Sequence, residues 1–331
     1  SQGSFSNNWL AFGGGTFTQT GSFALDTGAS LTDRGEFIVT NAWGDGTTLP
    51  KLQLSSLTGY GDFRSDWGSN SFRTILVDQA TDTTFAGRFV SSSGSRGIDL
   101  EKDGEGTLIL TGNNTHRLTT ITEGALQVGS GGLGSGAISV ASAAKLILAP
   151  ADDMTIANTI SGTGTIIKRA GDRITISGDN SASALNWVFD SAIGNNDDLG
   201  FQNANAIGAS GSTITVTDGA TGSAFFFDGG QSTDAPIAIG SGGSFIWNGS
   251  SGTTATLTGG ISGAGDFTKV SGQTLVLQSN LALSGDVHID TGTVTLKKSN
   301  TASGTIFVNS GGTLRMENDD VSTGFTGGNS N

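Results

Sequence analysis

Apolar and polar residues alternate with a period of two along most of the chain, and the clearest stretch of alternation is repeated. The stretch KDGEGTLILTGNN runs from Lys102 to Asn114, and related stretches run from Lys168 to Asn180 and from Lys269 to Asn280. In each copy a Lys begins a glycine-bearing turn, and apolar residues follow six and eight positions after that Lys. A two-residue period is that of a β-strand, so each copy predicts a short strand bounded by turns.

Shorter segments recur at wider spacing. LTGYGDF, ISGTGTI and ISGAGDF start at Leu57, Ile160 and Ile261, roughly 100 residues apart. Near-equal spacing of strand-forming units over most of a chain indicates repeats that stack in one direction. The apolar strand positions should then face the interior and stack from coil to coil. These positions are Leu108, Leu110, Leu126, Val128, Leu275, Leu277, Val294 and Leu296.

One family resemblance is visible in these residues. The run GEGTLILTGNNTHRLTTITEGALQV, which ends at Val128, resembles the autotransporter-associated β-strand repeat of bacterial type V secreted passengers. The copy from Lys269 to Leu296 is similar to the same pattern, and the copy at Lys168 is degraded. The resemblance implies an all-β fold, a single elongated right-handed parallel β-helix (β-solenoid), carried to the outside of a Gram-negative cell.

The recurring segments also suggest how the solenoid is organised. We expect N-terminal coils with a candidate cap in residues 1–56, followed by three repeat modules in residues 57–159, 160–260 and 261–331, the last with a polar tail. Polar residues and Gly thin out the alternation from Thr81 to Gly97. That segment is predicted to be a longer loop.

Composition supports short strands joined by tight turns. Glycine accounts for 54 of the 331 residues, more than twice the ordinary share of about 7%. The chain has only 3 Pro, which fits because Pro cannot donate into an internal ladder. With zero Cys it has neither disulfides nor Cys-ligated metals.

Charge argues against one class of partner. The formal net charge of −13 argues against nucleic acid, whose binding needs clustered Lys and Arg. An acidic surface would also repel anionic membranes and polyanionic glycans. The only basic pairs are Lys168-Arg169 and Lys297-Lys298, and we expect both to be solvated turn charges.

Membrane and export segments are missing from these residues. No stretch approaches 18 apolar residues, and the first residues do not have the pattern of a signal peptide. The resemblance implies a C-terminal membrane barrel in the full-length chain, but the last residues, ENDDVSTGFTGGNSN, do not form barrel strands. We therefore expect a processed or cut chain.

The motifs for catalysis and ligation are weak. GSGGLG, Gly129 to Gly134, fits a dinucleotide pattern, but a strand and not a helix should follow it, so it is interpreted as a turn. There is no G-x-S-x-G motif. The two His, His116 and His288, are expected at exposed polar positions. The sequence therefore predicts no catalytic residue, no metal and no cofactor.

Two other classes of function stay open. A pectin lyase-like enzyme acting on polysaccharides would share the β-helix, but only Asp197-Asp198 resembles one of the motifs of those enzymes. Ice or crystal binding through rows of Thr is suggested by TITVT, Thr213 to Thr217, and by TVT, Thr293 to Thr295. Thr is also an ordinary strand residue, which weakens this last hypothesis.

The function predicted from the sequence is that of a non-catalytic passenger, secreted or held at the cell surface, with a role in virulence. It would serve as a stalk or adhesin that binds a surface glycan or protein of host or microbe, or that associates with itself through the β-helix. The candidate binding residues are Trp9, Trp43, Asp197, Asp198 and Phe226. For Trp9 and Trp43 the favoured interpretation is an apolar cover of the first coil, because aromatic side chains bring the largest apolar area.

Overall fold

The chain forms parallel β-solenoid coils, in two compact units, Ser1–Leu148 and Ala149–Asn331. The computed structural model describes residues 9–12, 16–19, 23–25, 36–41, 51–65, 71–91, 96–169, 172–190, 199–226, 232–298 and 300–317. The predicted all-β parallel solenoid is confirmed. The right hand of its winding and the division into 1–56, 57–159, 160–260 and 261–331 stay predictions.

The first unit consists of short strands that return to the same sheet after each coil. They are β1 (Trp9–Phe12), β2 (Thr16–Gln19), β3 (Phe23–Leu25), β4 (Glu36–Asn41), β5 (Lys51–Leu54), β6 (Leu57–Gly59), β7 (Asp62–Ser65), β8 (Ser71–Asp78), β9 (Thr83–Phe85), β10 (Arg88–Ser91), β11 (Arg96–Asp103), β12 (Thr107–Leu110), β13 (Thr119–Ile121), β14 (Ala125–Val128), β15 (Ile138–Val140) and β16 (Lys145–Leu148). The strand orders are β1-β4-β7-β10, β2-β5-β8-β11-β13-β15 and β3-β6-β9-β12-β14-β16.

The second unit has the same construction, with one short 3₁₀ turn at Ala204–Ala206. Its strands are β17 (Met154–Ile156), β18 (Ile160–Gly162), β19 (Thr165–Lys168), β20 (Ile174–Ile176), β21 (Asn186–Phe189), β22 (Leu199–Phe201), β23 (Thr213–Val216), β24 (Thr221–Phe226), β25 (Ser232–Thr233), β26 (Ile237–Ile239), β27 (Ser244–Gly249), β28 (Thr254–Leu257), β29 (Ile261–Gly263), β30 (Asp266–Lys269), β31 (Thr274–Leu277), β32 (Leu281–Leu283), β33 (Val287–Ile289), β34 (Gly292–Leu296), β35 (Ile306–Val308) and β36 (Gly312–Met316). The strand orders are β19-β21-β23-β26-β29-β32, β17-β20-β22-β24-β27-β30-β33-β35 and β25-β28-β31-β34-β36.

Alternation along each strand builds the core. Leu108 pairs with Leu126 on the next coil, and Leu126 pairs with Leu146 on the one after, so one coil takes roughly 20 residues. All eight apolar residues predicted to face the interior are 5% exposed or less, so that prediction is confirmed. Burying one such side chain stabilises the fold by about 1.5–3 kcal/mol.

Glycine is required at specific turns. Gly104 has a φ of +75° in the turn after β11, a conformation that other residues rarely adopt. At Gly112 the added Cβ of any other residue would lie 2.0 Å from the carbonyl oxygen of Gly87 on the preceding coil. The coils are therefore too close at this corner for a side chain.

The prediction of a longer loop from Thr81 to Gly97 is wrong. β9 and β10 lie in this segment, and β11 begins at Arg96. The buried rings of Phe85 and Phe89 pack against Phe63, with centroids 5.8 and 5.3 Å away. The strands here are too short, and their turn too tight, for the two-residue alternation to be recognised.

The repeat does not keep its place on the solenoid. In the second unit, Lys168 lies on β19 and Lys269 lies on β30, and these strands belong to different sheets. A spacing of roughly 100 residues is therefore not a whole number of coils in this unit. The repeated element is a local strand–turn–strand unit, and its copies lie on different sheets of the solenoid.

Candidate functional site

The Lys that begins the first copy of the repeat lies inside the solenoid. Lys102 is fully buried, two positions after the buried Leu100 on β11. Its Nζ donates to the carbonyl oxygens of Asp103 (2.6 Å) and Gly104 (2.7 Å). A third carbonyl oxygen, that of Glu123 on the next coil, is 3.5 Å away. The ammonium group thus binds the turn backbone of two coils.

The third copy repeats this arrangement in the second unit. Lys269 is also fully buried. Its Nζ donates to the carbonyl oxygens of Val270 (3.0 Å), Ser271 (2.7 Å) and Thr291 (3.3 Å), the last on the next coil, and lies 3.2 Å from the Ser271 hydroxyl. Burial lowers the pKa of Lys269 to about 8. Burial also lowers the pKa of Lys102, against the opposing effect of nearby carboxylates.

The expectation that Lys168 is a solvated turn charge is wrong. Lys168 is 1% exposed, and its Nζ donates to the carbonyl oxygen of Arg169 at 3.0 Å. Arg169 is the outward residue, paired with Asp190 at 2.6 Å. A signal for these buried lysines was present in the sequence, since each stands two positions after a core residue, as Lys168 does after Ile166.

Two buried asparagines link three coils each. The Asn114 Oδ1 accepts from the Phe89 backbone amide at 2.8 Å, and its Nδ2 donates to the Gly132 carbonyl at 3.0 Å. The Asn180 Oδ1 accepts from the Ile160 backbone amide at 2.7 Å, and its Nδ2 donates to the Ala206 carbonyl at 2.8 Å. Because a backbone group buried without a partner is destabilising, these amides hold the coils at corners where no strand pairs.

The third copy uses another amide. Its closing residue, Asn280, is exposed. Gln273, in the turn before β31, is instead fully buried. The Trp247 Nε1 donates to the Gln273 Oε1 at 2.9 Å, and the Gln273 Nε2 donates to the Thr253 hydroxyl at 3.0 Å.

His116 is not at an exposed position, contrary to expectation. It is fully buried, its Nε2 lies 2.7 Å from the Thr119 hydroxyl, and its ring lies edge-on to Phe89. Its Nδ1 has no hydrogen-bond partner. Desolvation lowers the pKa of His116 to about 4. Since the ring is closed off from solvent and no carboxylate orients it, His116 is a core residue.

His288 faces outward and is half-buried. Its ring stacks on that of Phe307 on the next coil, with centroids 4.8 Å apart and planes 7° from parallel. Phe307 is 41% exposed. The pair forms an aromatic surface beside Asp286 and Asp290, which flank His288 on the same side of β33.

The five candidate binding residues are not tested by the structure. Trp9 begins β1 and pairs with Ile38, and Phe226 ends β24 and pairs with Gly249, but their side chains lie outside the described residues. Trp43, Asp197 and Asp198 lie wholly outside the described residues. They stay predictions.

The neighbour of Phe226 shows one contact on this face. Phe225 is half-buried, and the Arg173 guanidinium carbon lies 5.1 Å from the centroid of its ring. The two side chains cover each other on the outside of the sheet, and a cation over a ring is stabilising.

The two Thr segments behave differently. On β23, Thr215 lies between Val188 and Ala238, so no row of Thr forms there. On the other sheet, four threonines are in register across β28, β31, β34 and β36. They are Thr254, Thr274, Thr293 and Thr313.

The glycine-rich segment Gly129 to Gly134 is a turn followed by strand β15, as predicted. Within the described ranges, no group of three or more His, Cys, Asp or Glu is placed to hold a metal ion. In the same ranges, no helix is long and apolar enough to cross a membrane.

Comparison with known proteins supports the resemblance seen in the repeats. The family model of the passenger-associated-transport-repeat matches residues 100–128 and 289–316. The first match runs from the end of β11 through β14, and the second from the end of β33 through β36, so each spans the same number of strands. Searches of curated proteins and of solved structures found no match. Two passenger-associated transport repeats on a parallel β-solenoid fit the passenger domain of an autotransporter, and such repeats imply a secreted or surface-exposed location.

Proposed function

We propose that the chain is a non-catalytic passenger at the outer surface of a Gram-negative cell. It serves as a stalk and adhesin that binds a glycan or protein on a host or microbial surface. The two repeat matches and the solenoid support the passenger assignment. For adhesion, we infer in addition that the outward sheet faces form the ligand-binding surface.

The main support for this proposal is that buried polar side chains bond to the backbone of the solenoid. Lys102, Lys269, Asn114 and Asn180 all bond to the backbone of their own and adjacent coils. They therefore support stacking, which is what a stalk requires because each coil rests only on its neighbours. His116, the buried His, is closed off from any substrate.

Adhesion is tested by coupling the purified chain to beads and measuring their retention on bacterial lawns, epithelial cells and arrays of glycans. We expect retention on a subset of these surfaces, competed by free chain. Beads that are retained on none of them, while the chain remains folded by circular dichroism, would contradict adhesion.

The absence of turnover needs its own measurement. Incubation with pectins and other acidic polysaccharides, with and without calcium, should release no product. Product release that is lost in Asp197→Asn or Asp198→Asn would instead establish a polysaccharide enzyme.

A further inference from the structure

Two aromatic rings form a stacked pair on the outward side of the sheet that contains β27, β30, β33 and β35. His288 on β33 and Phe307 on β35 are register partners, and their rings are nearly parallel, with centroids 4.8 Å apart. Phe307 is 41% exposed, and β35 is the last strand of this sheet among the described residues. Because rings stacked across adjacent strands restrict each other, the pair presents a fixed aromatic surface.

Two carboxylates flank the ring pair. Asp286 and Asp290 stand two positions before and after His288, and two residues of a strand cover about 6.6 Å. The Thr305 amide donates to the Asp286 Oδ1 at 2.9 Å. The Asn309 Nδ2 donates to the Asp290 Oδ1 at 2.7 Å. Within the described residues the second oxygen of each carboxylate makes no hydrogen bond, so both are oriented in advance and keep an acceptor for an outside donor.

The charge around the ring pair is negative. The strands β27, β30, β33 and β35 carry no exposed Lys or Arg, and Asp266 at the start of β30 adds a third carboxylate. From Gly292 to Asn331 the cations and carboxylates of the chain are equal in number. They are Lys297, Lys298, Arg315, Glu317, Asp319 and Asp320. The three carboxylates around the rings are therefore not offset by the last residues, and this surface favours a cationic partner.

The same sheet shows how a cation packs on such a ring. Farther along its outward side, the Arg173 guanidinium carbon lies 5.1 Å from the centroid of the Phe225 ring. No Lys or Arg of the described residues lies over Phe307. A planar guanidinium can stack on a ring and donate to carboxylates at the same time, which suits it better than an ammonium to this surface. The Phe307 ring therefore fits an arginine supplied by another molecule.

We propose that this face binds an arginine-rich segment of a partner protein. One guanidinium lies over the Phe307 ring, and others donate to the second oxygens of Asp286 and Asp290. An anionic glycan would be repelled, and a neutral glycan would leave the carboxylates without a countercharge. This inference rests on the proposed function, because it names the class of ligand that the adhesive surface binds.

The probe is a peptide of five Gly-Arg repeats, and three other ligands are compared with it. They are the same peptide with citrulline in place of Arg, the same peptide with Lys in place of Arg, and the neutral oligosaccharide maltohexaose. Calorimetry at about 0.1 M salt, where the Debye length is about 10 Å, limits the effect of the net charge of −13 on the whole chain. The citrulline peptide keeps the shape without the charge and should bind roughly tenfold more weakly than the Arg peptide. The Lys peptide should lie between them.

Variants of the full chain locate the contact. Phe307→Leu removes the ring without changing the charge and should weaken binding of the Arg peptide about threefold, whereas Phe307→Tyr should leave it unchanged. Asp286→Asn with Asp290→Asn keeps the Oδ1 acceptors and should weaken binding roughly fivefold. Circular dichroism checks that each variant folds.

Matched controls change the same kinds of residue elsewhere. Tyr60→Leu removes another exposed ring. Glu105→Gln with Asp234→Asn removes two other exposed carboxylates. Both controls should bind the Arg peptide like the unmodified chain.

Several outcomes would overturn the proposal. They are equal binding of the citrulline peptide, preferential binding of maltohexaose, a Phe307→Leu variant that binds like the unmodified chain, and controls that weaken binding as much as the variants. Retention of beads on cells by the site variants would leave adhesion standing through another surface. Binding of the Arg peptide by a chain whose beads are retained on no surface would contradict adhesion but not this site.

Discussion

The first and third copies of the repeat build similar coils with different polar groups. Both begin with a buried Lys whose ammonium binds the turn backbone, Lys102 in one and Lys269 in the other. The residue two positions later has a positive φ in both, +75° at Gly104 but +91° at Ser271. The first copy adds Asn114 as a link between three coils, whereas its counterpart Asn280 is exposed.

The difference shows which parts of the motif the coil depends on. The buried ammonium binds carbonyls of this turn in both copies, and buried carbonyls need hydrogen-bond donors, so the Lys recurs with the turn. The position of the buried amide side chain can differ between copies, because a corner between coils needs only a buried donor and acceptor at some position. In the third copy, Gln273 supplies a buried amide that bonds to Trp247 instead.

The largest effect should come from a charge in the shared apolar core. Leu126→Asp places a carboxylate between Leu108 and Leu146, and we expect a loss of more than about 4 kcal/mol, from lost burial plus desolvation. Leu275→Asp should do the same in the third copy. Urea unfolding measures both.

Gln127→Asp is the matched control for this core substitution. Gln127 is the next residue on β14 and faces outward, half-exposed. It should change stability by less than about 1 kcal/mol. Equal effects at Leu126 and Gln127 would contradict the inward assignment.

The amide link separates the two copies directly. Asn114→Ala leaves the Phe89 amide and the Gly132 carbonyl buried without this partner, and should destabilise by roughly 2–5 kcal/mol. Asn280→Ala removes an exposed side chain and should cost less than about 0.5 kcal/mol. Thermal unfolding of both variants measures the contrast, and similar losses would refute it.

Acid should weaken the region around the first copy. The pKa of His116 is about 4 in the fold against a usual 6.5, so as pH falls the unfolded chain binds the proton first. Stability should drop between about pH 6.5 and 4, by about 1.4 kcal/mol per pH unit. His116→Gln should flatten this slope in urea titrations, and His288→Gln should leave it. An unchanged slope in His116→Gln would count against a neutral buried ring.

Raising the pH should increase the stability of the fold through the third copy, whereas lowering the pH decreases it through the first. The pKa of Lys269 is about 8 in the fold against a usual 10.5, so the unfolded chain keeps its proton longer as pH rises. Stability should increase from about pH 8 to 10.5, by up to about 1.4 kcal/mol per unit. Lys269→Met should abolish the increase, while Lys145→Met, at an exposed position on β16, should not.

The smallest effect is expected at the turn. Ser271→Gly relieves a left-handed conformation that costs a non-Gly residue roughly 1 kcal/mol, but it removes the hydroxyl 3.2 Å from the Lys269 Nζ. The net gain should be about 0.5 kcal/mol or less, read from the urea midpoint. Gly104→Ser should instead destabilise, because the added Cβ would lie 2.6 Å from the Gln79 carbonyl oxygen. A gain from both changes would refute the strain argument.

The strand pattern made the fold and its core predictable, because Leu108 and its relatives carry the two-residue period. The burial of Lys102 and of the neutral His116 was not predicted, since both are polar residues, a class for which exposure is expected. The buried Lys102 depends on carbonyls of its own turn and of the next coil, whereas the His116 ring bonds, within the described residues, only to the Thr119 hydroxyl. The coil spacing was also hidden, because Lys168 and Lys269 repeat a local turn on different sheets.

The bonds from Lys102 to the next coil and from Asn114 to both neighbours also determine how the chain responds to force. When a coil is pulled away from its neighbour, its apolar side chains separate gradually, but the ammonium and the amide lose their acceptors at once. The force needed to separate two neighbouring coils should therefore be high where such a Lys or Asn bonds to the next coil, and lower between these positions. A passenger under shear would hold at those coils and give way, coil by coil, in the stretches that separate them.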